Sequence, residues 1–127
     1  MPTTEWTHLA GVYDGQTVKL FVNGTEAGSI EASGNRKTNE LPLFIGADPD
    51  NASQPTRCFH GLIDEVRLST AAVYAEKFKP TRTLESGENT KLLMHLDKHV
   101  GPFVFDRSKQ NASMLMGSEA KLVPAER

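Results

Sequence analysis

One cysteine in 127 residues rules out an intrachain disulfide. One tryptophan and a 7% aromatic content leave few rings for a stacking surface. Neither charge is in real excess: 14 Lys and Arg stand against 16 Asp and Glu, a net charge of −2. With no positive field to gather phosphates, electrostatic binding of nucleic acid is excluded. No apolar run approaches the roughly 20 residues of a membrane-crossing helix. Met1-Pro-Thr-Thr-Glu5 has neither a basic region nor an apolar stretch, so it is not a signal peptide. His8, His60, His95 and His99 are scattered without Cys/His ligand spacing, which argues against zinc. Cys58 has no activating neighbour in sequence and reads as an inert, buried or semi-buried thiol.

What remains is the composition of a folded chain, 38% hydrophobic and 24% charged. The length suits one domain, 1–127. Its pattern is that of strands. Trp6, His8, Ala10 and Val12 alternate, and Asp14-Gly15 follows as a turn. Val18, Leu20 and Val22 alternate with Lys19 and Phe21, and Asn23-Gly24 is the dipeptide best suited to a type I′ hairpin. A third strand over Glu26–Ala32 completes a predicted meander. Residues 33–40 and 48–57 are polar loops flanking a strand at Leu41–Ala47. Cys58–Ser69 is the longest predicted strand. Its phase slips between Ile63 and Val66, which predicts a bulge at Asp64-Glu65. Residues 71–78 form the one predicted helix, ended by Pro80. Leu92–Asp97, Val100–Phe105 and Ser113–Val123 supply further strands. The expected core is Trp6, Val12, Leu20, Val22, Ile45, Ile63, Val66 and Leu68. These elements predict an all-β chain, an antiparallel β-sandwich.

Three stretches carry a resemblance: Trp6-Thr-His-Leu-Ala-Gly-Val-Tyr-Asp-Gly with Val18-Lys-Leu-Phe-Val-Asn-Gly, then Leu43-Phe-Ile-Gly, then Phe59-His-Gly-Leu-Ile-Asp-Glu-Val-Arg-Leu68. The chain resembles the laminin-G-like, concanavalin A-like lectin/glucanase jelly-roll modules of bacterial surface and secreted proteins. Residues 1–70 are similar to the central and closing strands of such a module. Residues 92–123 resemble its opening strands. The chain is therefore either a permuted complete sandwich or a piece spanning two modules. Long unpaired edges would disfavour the second. The resemblance implies a binding or adhesion module of a larger exported or envelope precursor. It would sit among neighbouring domains and take a glycan or protein ligand through its rim loops. A structural spacer is the alternative, and a small glycoside hydrolase a more distant one.

Candidate residues follow from these two readings. Hydrolases of this sandwich carry acids at alternate strand positions, whereas Asp64 and Glu65 are adjacent and would point to opposite faces unless the predicted bulge intervenes. The expectation is no enzyme, with a carboxylate bonded to backbone amides or to Arg67. The resemblance also implies one structural calcium held by acids of the first and last strands. Asp97 and Asp64 match those positions, although Lys98 could supply the positive charge instead. The loop offers Asp48, Asp50, Asn51 and Arg57 as ligand-binding residues, with an Asx turn as its plain structural reading. Phe21, out of phase with its strand, is the expected exposed ring for a ligand. Phe59 and Tyr74 are further candidates. Three Asn-x-Ser/Thr matches, at Asn23, Asn51 and Asn111, are assigned no function.

Overall fold

The computed structural model describes residues 5–124, so Met1–Thr4, part of the leader reading, lie outside the described residues. Among the described residues the chain is all strand: an antiparallel β-sandwich of the jelly-roll class. The first sheet is a meander of β1 (Leu9–Tyr13), β2 (Thr17–Val22) and β3 (Thr25–Glu31). Its turns obey local chemistry. Asn23 and Gly24 take φ of 50° and 77°, the two positive values a type I′ turn requires. The Asn23 side chain also accepts the His8 amide at 2.9 Å. Asp14 accepts the amides of Gln16 and Thr17, which closes the other turn. A two-rung hairpin, β4 (Asp48–Pro49) with β5 (Pro55–Thr56), follows. The second sheet runs β6 (Val66–Ser69), β7 (Thr90–Val100), β8 (Phe103–Asp106) and β9 (Ser113–Leu115).

The core sits on this second sheet. Leu92, Met94 and Val104 are buried together, with Ile45, Val66, Leu96, Met114, Met116 and Leu122 packed around them. The opposite face of β7 carries Leu93, also buried. The connection between β6 and β7 lies against that face and against the first sheet. Arg67 donates to the Tyr74 hydroxyl at 2.8 Å, and the Leu84 amide donates to Glu65. Phe78 packs on Phe21 with ring centroids 5.6 Å apart, and its amide donates to the Gly24 carbonyl. Gly24 is required here because the Phe78 carbonyl and Pro80 occupy the space a side chain would need.

Several expectations are corrected. Residues 71–78 are not helical. The Phe78 amide, which would close a helical turn onto Tyr74, bonds Gly24 instead, and Lys19 takes the Ala75 carbonyl. Tertiary partners thus satisfy the groups a helix would have used. Leu41–Ala47 and Cys58–Glu65 are irregular, so the long strand shortens to Val66–Ser69. The register shift in it lies between Leu68 and Ser69, not at Asp64-Glu65. The faces of β2 are also inverted. Phe21 is 0% exposed, whereas Leu20 is 48% exposed. Trp6 and Leu68, expected in the core, are exposed as well, and so is Cys58.

His8 lies edge-on to both Tyr74 and Phe78, 6.1 and 5.5 Å between centroids. Its Nδ1 is buried without a hydrogen-bond partner among the described residues. Burial, and then the Arg67 guanidinium, push its pKa below the ordinary value near 6.5. Protonation is therefore easier in the unfolded chain. This contribution to stability is whole above about pH 6.5 and is lost as pH falls through the folded-state value. Equilibrium denaturation across this range should show an acid-side loss of stability, and His8→Phe should remove that step. An unchanged pH profile in the variant would refute the assignment.

Candidate functional site

The hairpin β4–β5 is built from the loop the sequence marked for binding. Asp50 is its brace: one carboxylate oxygen accepts the amides of Ala52 and Gln54, each at 2.8 Å, and its backbone carbonyl accepts the Ser53 amide. Asp50 therefore serves the Asx turn. Asn51 is exposed at the tip. Below it Arg57 meets Asp48 at 2.6 Å, with both side chains largely in solvent. Screening keeps such a pair worth about 0–1 kcal/mol, so it orients rather than stabilises. The Phe59 amide donates to the Gly46 carbonyl at 2.7 Å and closes the hairpin base. The Phe59 ring is 59% exposed and lies close over Gly61, where an added Cβ would come within 2.7 Å of it. Asp48, Asn51 and Arg57 are exposed on the hairpin, and Phe59 follows at its base.

Phe21 is not part of this site. It is buried against Phe78 and offers no ring to a ligand, because β2 turns the Thr17, Lys19 and Phe21 side inward. Tyr74 is also engaged, stacked on Phe78 at 3.7 Å between centroids.

The acids near β6 have other employment. Glu65 and His95 continue the Val66–Met94 register by one rung, and so face each other. The His95 Nδ1 lies 2.8 and 2.9 Å from the two Glu65 carboxylate oxygens. The Leu84 amide donates to the same carboxylate at 3.0 Å. Arg67, the partner expected for these acids, turns instead to Tyr74 and the Glu85 carbonyl. Asp106, unmarked in the sequence reading, is 2% exposed. It accepts the Leu93, Ser108 and Ala112 amides and the Ser108 hydroxyl, the last at 2.6 Å. Burial pushes its carboxyl up, but the Ser108 hydroxyl and these amides outweigh that and hold it below the usual 3.8. The signal for it was local: an Asp-x-Ser turn at the end of a strand. Both carboxylates are tied into the fold by backbone amides.

Asp64 is half-buried just before β6, and Asp97 is exposed. Asp97 lies where β7 bulges from β8 between Met94 and His99, with Leu96 at a positive φ of 53°. Among the described residues no group of three or more His, Cys, Asp or Glu side chains is arranged to hold a metal ion. Calcium takes six to eight oxygens, backbone carbonyls and waters among them, so a site here would draw most of its ligands from outside these two carboxylates. If the ion is bound there, the midpoint of thermal unfolding should be higher in calcium than in EDTA, and Asp64→Asn should abolish the rise. Equal midpoints in EDTA and in excess calcium would exclude the ion.

Residues 1–77, spanning the first sheet, the hairpin and β6, match the family model described as the concanavalin A-like lectin/glucanases superfamily, laminin-G type. Comparison with curated proteins and with solved structures returns no match. The match covers well over half of the chain, in the order meander, hairpin loop, closing strand, and the chain belongs to the laminin-G-like branch of the concanavalin A-like superfamily.

Proposed function

We propose that the chain is a non-catalytic binding module of a larger exported or envelope protein, and that it takes glycan on the 48–57 hairpin beside Phe59. Its family is one of carbohydrate- or protein-binding modules in general. The observation that carries the finer reading is the exposed Phe59 ring, seated on Gly61 at the foot of a hairpin bearing Asp48, Asn51 and Arg57. A sugar has an apolar C–H face and an equatorial rim of hydroxyls. An exposed ring meets the face. A carboxylate, amide and guanidinium meet the rim as acceptor and donors. Asp50 braces the backbone of the turn that carries them, which lowers the entropy lost on binding.

Screening the isolated chain on a glycan array, followed by calorimetry on the strongest hit, tests the reading. Phe59→Ala should weaken binding about tenfold, the scale of one stacked ring. Arg57→Ala should weaken it without changing the circular dichroism spectrum. Retention of no glycan, or equal binding by both variants, would overturn it.

A further inference from the structure

We propose that the hollow where residues 32–36 fold over the end of the first sheet is a binding site for a small aromatic monocarboxylate. Its volume is about 360 Å³, within the range of small-molecule pockets. Tyr13, Val18 and Ala32 form its apolar side, and the following residues to Arg36 form its polar side. None of these residues belongs to the 48–57 hairpin, so this site stands apart from the glycan site proposed above.

The hollow is built by backbone hydrogen bonds. Tyr13 at the end of β1 is the register partner of Val18 in β2. Past β3 the chain leaves the sheet, and two hydrogen bonds turn it back. The Ala32 amide donates to the Gln16 carbonyl at 2.8 Å, and the Tyr13 hydroxyl donates to the Gly34 carbonyl. Gly34 takes φ of 116°, a conformation that costs glycine little and other residues much. The wall over the hollow is thus held at two points. Tyr13 lends its ring to the hollow while its hydroxyl is occupied by the wall.

Charge and shape select the ligand. Arg36 is exposed and enters no ion pair or hydrogen bond among the described residues. A guanidinium at the rim of an apolar hollow meets a planar carboxylate through two parallel hydrogen bonds. The Ser33 hydroxyl and the Asn35 amide add donors beside it. Glu31 lines an adjoining hollow that shares Ala32 and Ser33 with this one. Its carboxylate repels a second negative charge, so a monoanion is favoured over a phosphate dianion. The Tyr13 ring favours a flat aromatic body, stacked on it or met at its edge. One ring contact and one ion pair, open to solvent on one side, give a dissociation constant of about 1 mM.

Titration of the nitrogen-15-labelled whole chain with phenylacetate tests this. Saturable shifts should gather on the amides of Tyr13, Val18 and residues 32–36 and leave the 48–57 amides in place. Phenylacetamide, which keeps the ring and loses the charge, should bind about tenfold more weakly. Arg36→Gln should bring phenylacetate down to the level of phenylacetamide and leave phenylacetamide itself unchanged. Arg36 is exposed in a loop, so this variant should keep the wild-type dichroism. Tyr13→Phe should weaken both probes, because it keeps the ring and frees the wall. Equal binding of the two probes by the wild type would overturn the proposal. So would an Arg36→Gln variant that binds phenylacetate as the wild type does, or shifts that show no saturation up to about 10 mM.

Discussion

Phe21→Ala is expected to destabilise the chain by about 3–5 kcal/mol, the cost of removing a fully buried ring from a packed site. Its neighbour Leu20→Ala is expected to cost about 1 kcal/mol or less. The contrast follows from β2 presenting Phe21 to Phe78, 5.6 Å away, while Leu20 stands 48% exposed on the other side. The ring also seals the junction at which the β6–β7 connection meets the first sheet. Loss of the ring should therefore loosen Tyr74, Phe78 and the Gly24 turn together. Urea denaturation of the two single variants decides the point. A larger loss for Leu20→Ala than for Phe21→Ala would mean the faces of β2 are reversed.

Asp106→Ala is expected to cost about 3 kcal/mol or more. Its carboxylate accepts from the Leu93, Ser108 and Ala112 amides and from the Ser108 hydroxyl. Truncation leaves several buried donors without a partner, each a penalty of about 1–3 kcal/mol before the site relaxes. The neighbourhood magnifies the effect, because Leu93 and Met94 beside it are buried core residues of β7. Asp106→Asn keeps the shape but offers only one acceptor oxygen, and should lose less. Since the folded-state carboxyl lies below the usual value, its contribution is whole above about pH 4 and is lost as pH falls through the folded-state value. Asp106→Asn should flatten the acid limb of the stability profile in that range. If Asp106→Ala unfolds in urea at the wild-type midpoint, the network has been misread.

The meander was legible because its turns are written in local chemistry. Asn23-Gly24 can hardly be anything but a tight hairpin, and Asp14 closes its turn with its own side chain. Which face of β2 is buried was not legible. Val18, Leu20 and Val22 outnumber Phe21, and alternation alone favours the larger set. The deciding partner, Phe78, arrives from a segment far along the chain, and both faces of β2 are apolar enough for either to be covered. Residues 71–78 mislead for a related reason. Their composition suits a helix, but Gly24 and Lys19 claim the backbone groups that would have closed it. At the candidate site, the sequence pointed to the 48–57 loop and to Asp48, Asp50, Asn51 and Arg57, and the Asx turn at Asp50 could be read from composition. Phe59 stood only among the candidates until its amide bond to Gly46 placed it at the hairpin base. The Glu65–His95 pair was hidden because it depends on the register between β6 and β7, which no local pattern specifies.

A binding module is defined by where its ligand sits. A nitrogen-15 chemical-shift titration of the chain with the strongest glycan hit locates it residue by residue. Perturbed amides are expected across Gly46 to Gly61, centred on Asp48, Asn51, Arg57 and Phe59, with the β1–β3 sheet unmoved. Shifts gathered instead on Leu9, Leu20 and Ile30, with the hairpin silent, would contradict that placement.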